Sequence, residues 1–282
     1  MAAISVEETK LAGVVGWPAA HSLSPVIHST WAAREGAPAR YNALAVEPTD
    51  EAFCKRINEL RAQGYVGVNV TIPHKERALK IADRASDAAL AIGAANMLTF
   101  SGGEIFAENS DATAAEAIIR ELTPFPGTAL VLGAGGAARG VLYAMKRAGV
   151  RRILLSNRTK RRATEIADVG AAQVVDWTRR AAAASEADLV VNATSLGMNG
   201  APPLDLDVQP LKQSAVIFDI VYAPLETPLL RAARARGLKT IDGLEMLMRQ
   251  AVPGYLRWLG TRAEVDEDLR ARLEAALMSG SA

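Results

Sequence analysis

One cysteine, Cys54, occurs in 282 residues, so the chain has no internal disulfide and no cysteine-based zinc site. A surplus of charge is missing too. Lys+Arg 32 against Asp+Glu 31 leaves a formal net charge of +1, and no basic excess is left to follow a phosphate backbone, which disfavours nucleic acid as a partner. The charge-free stretch Leu11–Ala33 carries Pro18, Pro25, two histidines and three serines, whereas a membrane span needs about 20 mostly apolar residues. Glu7 and Glu8 stand near the start, where a secretory signal would place basic residues ahead of an apolar run. His21, His28 and His74 show neither metal-ligand spacing nor a base-plus-nucleophile arrangement, so no metal and no hydrolase chemistry is expected. Trp17, Trp31, Trp177 and Trp258 are too scattered for a stacking platform. What is abundant is core material: 50% of residues are hydrophobic and 22% charged. The expectation is a soluble, reduced, cytoplasmic globular protein with, at ~150 residues each, roughly two domains.

Short β-rich runs alternate with longer helical stretches. Leu11–Gly16, Tyr41–Val46, Tyr65–Ile72 and Glu104–Asn109 read as strands. Pro25–Glu35, Asp50–Ala62 (with Asp50 as its N-cap) and Ala112–Leu122 read as helices. Thr123-Pro-Phe-Pro-Gly127 breaks the pattern and is a candidate linker or boundary. A second series follows, with strands Thr128–Leu132, Arg152–Ser156, Gln173–Asp176, Leu189–Asn192, Ala215–Asp219 and Leu238–Ile241. Its helices fall near Ala137–Ala148, Lys160–Asp168, Thr178–Ala184 and Pro228–Arg236, and the chain is helical again from Leu244. Gly200–Pro210, rich in proline, reads as a surface loop. Such βαβ alternation predicts an α/β protein with mostly parallel sheets.

Thr128–Arg139 is an apolar strand, a glycine turn and a helix start, in which Gly133, Gly135 and Ala138 match the dinucleotide-binding fingerprint. The turn Gly133-Ala134-Gly135-Gly136-Ala137 would present free N–H groups and the positive helix end to a pyrophosphate. About 20 residues on, an NAD site expects a carboxylate for the ribose 2′-hydroxyl. The stretch found there, Ser156-Asn157-Arg158-Thr159-Lys160-Arg161-Arg162, has none. Arg158 and Arg162 can instead pair with a 2′-phosphate and Thr159 can add a hydroxyl, so the expected cofactor is NADP(H).

The first half puts polar residues where a loop has no need of them. Asn69 and Thr71 share one strand face by alternation, and Lys75 follows at the carboxyl end, where ligands sit in open parallel sheets. Asn109-Ser110-Asp111 offers a carboxylate that could partner Lys75, although Asp111 would equally serve as N-cap of a helix beginning at Ala112. Ser22 and Ser24 precede a helix; Ser24 alone could be a plain cap with Pro25 in the first helical position. Cys54 beside Phe53 reads as packing, and His74 as a turn residue before Lys75.

Taken in order, these blocks carry a resemblance. Ser22-Leu-Ser-Pro25, Asn69-Val-Thr-Ile-Pro-His-Lys75, Gly93-Ala-Ala-Asn96, Asn109-Ser-Asp111, Gly133–Arg139, Asn157-Arg-Thr159, Asn192–Met198, Asp219-Ile-Val-Tyr222 and Asp242-Gly243 with Gln250 resemble the shikimate dehydrogenase family over nearly the whole chain. The resemblance implies an N-terminal, mostly parallel α/β substrate domain over residues 1–111, completed by residues 244–282. It implies a Rossmann-type NADP-binding domain over residues 112–243, with the C-terminal helices returning to the first domain. Lys75 and Asp111 would stand at the reacting carbon, in a site lined by Ser22, Ser24, Asn69, Thr71, Asn96, Tyr222 and Gln250. Asn157 would join the 2′-phosphate turn, while Thr194, Ser195, Met198, Ile220 and Gly243 would lie along the nicotinamide end. Small departures are Met97 and Ser110 for more usual threonines, and Ala112 and Glu245 for glycines.

The implied reaction is reversible hydride transfer between NADPH and 3-dehydroshikimate, giving shikimate, with Lys75 moving the proton. The resemblance leaves room for a homodimer. Two alternatives stand beside this reading. One is a quinate/shikimate or aminoshikimate dehydrogenase using NAD or both cofactors. The other is a non-catalytic NADPH-binding regulatory protein, which would be free to lose Lys75 or Asp111.

Overall fold

A computed structural model describes residues 8–280, which fall into two compact units. One comprises residues 8–90, 94–110 and 250–280; the other comprises Ala91–Gly93 and Asp111–Arg249.

The first part of the chain runs β1 (Lys10–Gly16), α1 (Ser24–Glu35), β2 (Ala39–Ala45), α2 (Asp50–Ala62), β3 (Tyr65–Val70), α3 (Lys75–Lys80), β4 (Arg84–Ala85), α4 (Asp87–Ile92), β5 (Met97–Ser101) and β6 (Glu104–Glu108). Its six-stranded sheet has the order β2-β1-β3-β5-β6-β4. β1 runs parallel to β2 and β3, and β4 parallel to β6, while β5 is antiparallel to both neighbours. The sheet is thus mixed. The segment from residue 75 to 101, with two short helices and strands β4 and β5, is absent from the expected element series. Alternating side chains of β1 and β3 place Val15, Val68 and Val70 against Phe53, Ile57 and Leu60 of α2. Fully burying each such side chain contributes about 1.5–3 kcal/mol.

Helix starts differ from expectation in three places. The α2 cap is Thr49, whose extended backbone (φ −113, ψ 153) lets its hydroxyl accept from Ala52 N at 3.1 Å, while Asp50 is already helical. Ser24 opens α1 itself, after Leu23, with no side-chain cap bond. α5 (Ser110–Arg120) begins before Asp111, which therefore lies in the first turn, where a carboxylate complements the helix dipole. His74 closes a turn before Lys75, its N–H bonded to Thr71 O at 2.9 Å, and it is also fully buried, with Nε2 2.8 Å from Val46 O.

The second series runs β7 (Thr128–Leu132), α6 (Gly136–Ala148), β8 (Arg152–Ser156), α7 (Lys160–Gly170), β9 (Gln173–Val175), α8 (Arg180–Glu186), β10 (Leu189–Asn192), β11 (Val216–Asp219), α9 (Pro228–Ala235) and β12 (Lys239–Ile241). Its six strands are all parallel, ordered β12-β11-β10-β7-β8-β9. This is the doubly wound order, whose topological switch lies between β7 and β10. Both faces are covered, so period-2 alternation yields continuous apolar runs. Ala129 and Val131 of β7 enter one core, with Leu155 and Phe218, while Leu130 and Leu132 enter the other, with Val190 and Ile217. The segment 200–210 forms no helix or strand, but Leu204, Leu206 and Val208 are anchored in the second of these cores. Thr123–Gly127 connects α5 to β7 inside this unit and marks no boundary.

α10 (Gly243–Trp258) starts in the second unit, and from Gln250 onward belongs to the first, as does α11 (Glu267–Met278). Trp258 Nε1 donates to Thr99 Oγ1 at 2.9 Å, and Trp31 Nε1 to Glu264 O at 2.8 Å, tying these helices to the first sheet's unit.

Candidate active site

In the first unit, one end of the sheet gathers uncharged polar side chains that a core has no use for. Ser24 follows the carboxyl end of β1, Asn69 is near that of β3, and Asn96 precedes the antiparallel β5. Asn69 is 5% exposed and Asn96 2%; at such burial every polar group needs a partner. Asn69 Nδ2 donates to Asn96 O at 3.2 Å. Asn96 Nδ2 donates to Ser110 Oγ at 3.0 Å and to Gln250 Oε1 at 3.3 Å, while its Oδ1 accepts from Ser110 N at 2.7 Å. Ser22 Oγ accepts from Ser24 N at 3.3 Å, which leaves the Ser22 hydroxyl hydrogen for another acceptor. The structure therefore joins Asn69, Asn96 and Gln250 directly, and Ser22 to Ser24. Thr71 lies just beyond β3, its N–H bonded to Val15 O at 2.9 Å.

Lys75 is the first residue of α3 and is half-buried. Its carbonyl accepts from Ala95 N at 2.9 Å. Asn96 follows Ala95, and its partner Ser110 precedes Asp111. Within the first unit, Ala95 thus holds the Lys75 backbone and the next residue, Asn96, holds Ser110. Asp111 itself is 6% exposed.

Two residues outside the expected set belong to this network. Ser110 holds both ends of the Asn96 amide. Tyr41 donates its hydroxyl to Asn69 Oδ1 at 2.7 Å. Burial drives the Tyr41 phenol well above its ordinary pKa, against a hydrogen bond from Ser24. No local sequence signal marks Tyr41, because its contact is made across the sheet.

In the second unit the expected cofactor residues lie on the turns and helix starts that follow β7, β8, β10, β11 and β12. Gly133 follows β7 with φ +111, a conformation L side chains rarely adopt, and an added Cβ would lie 2.6 Å from Ala193 O after β10. Gly135 is the N-cap of α6 with no side-chain cap bond, and an added Cβ there meets nothing within 4 Å. Open space beside uncapped N–H groups at Gly135, Gly136 and Ala137 fits a pyrophosphate. Asn157 donates to Thr159 O at 2.9 Å and shapes the turn after β8. Arg158, Thr159 and Arg162 are exposed. Among the described residues neither arginine engages a carboxylate, whereas Arg161 pairs with Glu165 at 3.3 Å. That donor set fits a phosphate monoester.

The loop after β10 is built on a buried carboxylate. Asp219, fully buried, accepts from Asn192 Nδ2 (2.9 Å), Val221 N (3.1 Å) and Thr227 Oγ1 (2.7 Å). Desolvation raises its pKa, against these hydrogen bonds. Asn192 Oδ1 in turn accepts from Thr194 Oγ1 at 2.7 Å, and Thr194 Oγ1 from Leu196 N at 3.0 Å. Thr194 is thereby fixed, while Ser195 and Met198 on the same loop are exposed. Ile220 N donates to Asn192 O at 3.1 Å, and Gly243 packs so closely on the Ile220 carbonyl that a Cβ has no room. Tyr222 is half-buried, and burial raises its phenol pKa. Among the described residues no group of three or more His, Cys, Asp or Glu is placed to hold a metal ion. Among the described residues no helix is long and apolar enough to cross a membrane.

Comparison with known proteins follows the same division. Residues 14–98 match the shikimate dehydrogenase substrate binding domain, and residues 115–227 match shikimate / quinate 5-dehydrogenase. The chain is 48% identical over 268 residues to the shikimate dehydrogenase (NADP(+)) of Methylocella silvestris, covering 93% of this chain and 95% of that one. Shikimate 5-dehydrogenase from Thermus thermophilus, solved with NADP(H) and shikimate, superposes with a TM-score of 0.83 at 34% identity, covering 96% of this chain and 99% of that one. A quinate dehydrogenase from Corynebacterium glutamicum in complex with NAD gives a TM-score of 0.85 at 27% identity, covering 95% and 100%.

Proposed function

The chain belongs to the shikimate dehydrogenase family, and from that premise we propose that it interconverts shikimate and 3-dehydroshikimate with NADP(H). The observation that carries this reading is the group of uncharged amides and hydroxyls at one end of the first sheet, the buried Ser24, Asn69, Asn96 and Ser110 with the half-buried Gln250. Amides and hydroxyls both donate and accept, which suits a ligand bearing three hydroxyls. Ser22, whose hydroxyl hydrogen is uncommitted to Ser24, suits its carboxylate. Tyr222 would add a phenol and Thr71 a hydroxyl.

NADP(H), when bound, takes up or returns the hydride at the carbinol carbon. Gly133, Ala134, Gly135, Gly136 and Ala137 would receive its pyrophosphate. Asn157, Arg158, Thr159 and Arg162 would receive the 2′-phosphate, and Thr194, Ser195, Met198, Ile220 and Gly243 would border the nicotinamide. Lys75 gives a proton to the substrate oxygen as negative charge grows there in reduction, and takes it back in oxidation. Asp111 orients the adjoining hydroxyl as an acceptor. A ligand held on both sides of the reacting atom makes the transfer effectively unimolecular. Cys54, the lone thiol, supports a cytoplasmic, reducing setting.

The test is an absorbance assay of the purified protein with shikimate or quinate, each with NADP+ or NAD+. Shikimate with NADP+ is expected to give the highest kcat/KM by at least about tenfold, the discrimination that one charge-assisted contact provides. A quinate/NAD+ rate equal to or above it would overturn the assignment in favour of a quinate dehydrogenase. Silence with all four pairs would favour a binding protein without catalysis.

A further inference from the structure

Tyr41 is the third residue of β2 and pairs in register with Ala12 of β1, which pairs in turn with Gly67 of β3. That row carries no second bulky side chain, so the phenol can pass over the small Ala12 toward Asn69 on β3. Its ring lies stacked on His28 at 3.9 Å and 4°. His28 is fully buried, and burial lowers its pKa to about 3, so the ring beneath the phenol is neutral.

The polarity of the contacts follows from one backbone carbonyl. Asn96 O can only accept, so the Asn69 group facing it at 3.2 Å is the amide nitrogen. Asn69 Oδ1 therefore faces Tyr41, and Tyr41 must donate across 2.7 Å. Hydrogens thus point one way, from Tyr41 to Asn69 and from Asn69 to the Asn96 carbonyl. Asn69 Oδ1 also lies against α10, where a Cβ on Gly254 would be 3.4 Å from it. The group of this amide left for a ligand is its second N–H.

We propose that Tyr41 is a positioning residue for the substrate: its hydroxyl fills Asn69 Oδ1 and so locks the amide with N–H toward a substrate oxygen. Two holds, the Asn96 carbonyl and the Tyr41 hydroxyl, fix the amide plane. With one hold gone, a buried carbonyl oxygen lacks a partner, and rotation toward the ligand becomes its remedy. The inference rests on the functional reading above and adds a residue to it.

The experiment compares wild type, Tyr41→Phe, Asn69→Ala and the double variant with shikimate and NADP+. Tyr41→Phe keeps the ring and its stacking on His28, and deletes one oxygen. KM for shikimate is expected to rise about five- to twentyfold, the scale of one buried hydrogen bond, while kcat and KM for NADP+ stay within about threefold. In the Asn69→Ala background the same substitution should change KM for shikimate by less than about twofold, because the group it positions is gone. Circular dichroism and NADP+ binding establish that each variant is folded. An unchanged KM in Tyr41→Phe, or an equal effect in both backgrounds, overturns the inference, since a merely structural tyrosine would act alike in either. Wild-type turnover separates the two claims: a wild type inactive with shikimate overturns the functional reading and this inference with it, and an active one tests the inference alone.

Discussion

The two sheets meet their tasks by opposite means. The first is mixed and gathers buried side chains, with Asn69, Asn96 and Ser110 satisfying one another. The second is wholly parallel, and its functional edge is largely backbone: a glycine turn at φ +111, an uncapped helix start at Gly135, and a loop strung on Asp219. Small polyhydroxylated molecules differ in where each oxygen lies, so reading one takes side chains at set positions. A pyrophosphate is a generic anion, which backbone N–H groups and a helix dipole meet without side-chain detail. The contrast teaches where substitutions should bite and on which reactant.

The largest effect is expected at Lys75. Lys75→Met should lower kcat on the order of 10²–10⁴ while leaving NADP+ affinity, read by fluorescence titration, nearly as it was. A comparable loss in cofactor affinity would break the division of labour between the sheets. Next comes Arg158→Ala, which would remove the charge-assisted bond proposed to the 2′-phosphate, about 1.5–3 kcal/mol, and give a ten- to hundredfold rise in KM for NADP+. NAD+ kinetics should hardly move; equal weakening of both would show that Arg158 does not read the 2′-phosphate.

The smallest effect lies at the far end of the second sheet. Asp188 is partly desolvated, which raises its pKa, but Lys212 Nζ at 2.6 Å and the N–H groups of Gly127 and Thr128 at 2.9 Å outweigh this and hold the carboxyl below its usual range. A depressed acid adds stability above its unfolded pKa, about 3.9, and that stability is lost as pH falls through the folded value. Asp188→Asn should therefore flatten the acid side of the Tm profile. The pair is solvent-screened, so the loss at neutral pH is about 1 kcal/mol or less, or about 2–4 °C. kcat should be unchanged, which would mark this end as structural.

Regular alternation was legible in sequence, and rare geometry was not. The strands of the second sheet are continuous apolar runs between glycines and caps, and Leu189–Asn192 and Arg152–Ser156 lie where their pattern puts them. The stretch from residue 75 to 101 was opaque for a physical reason. β4 is two residues long, α3 and α4 six each, and no periodicity develops over so few positions. Thr49 and Asp50 are both competent caps, and only the extended backbone at Thr49 separates them. The glycine turn, the basic turn after it and the polar alternation at Asn69 stand out locally. Tyr41 does not, because its partner is 28 residues away and across an intervening strand.

The order in which the polypeptide is laid down has a consequence of its own. The second unit is nearly contiguous, residues 111–249, whereas the first requires residues 250–280 as well. On a ribosome the inserted body can close as soon as it emerges, while its host waits for the tail. Trp258 is the piece awaited, since its indole packs on Gly67 and hydrogen-bonds Thr99. A polypeptide cut short at Arg249 would carry a finished nucleotide fold beside a sheet whose glycine row had lost its cover, a form suited to capture by proteases.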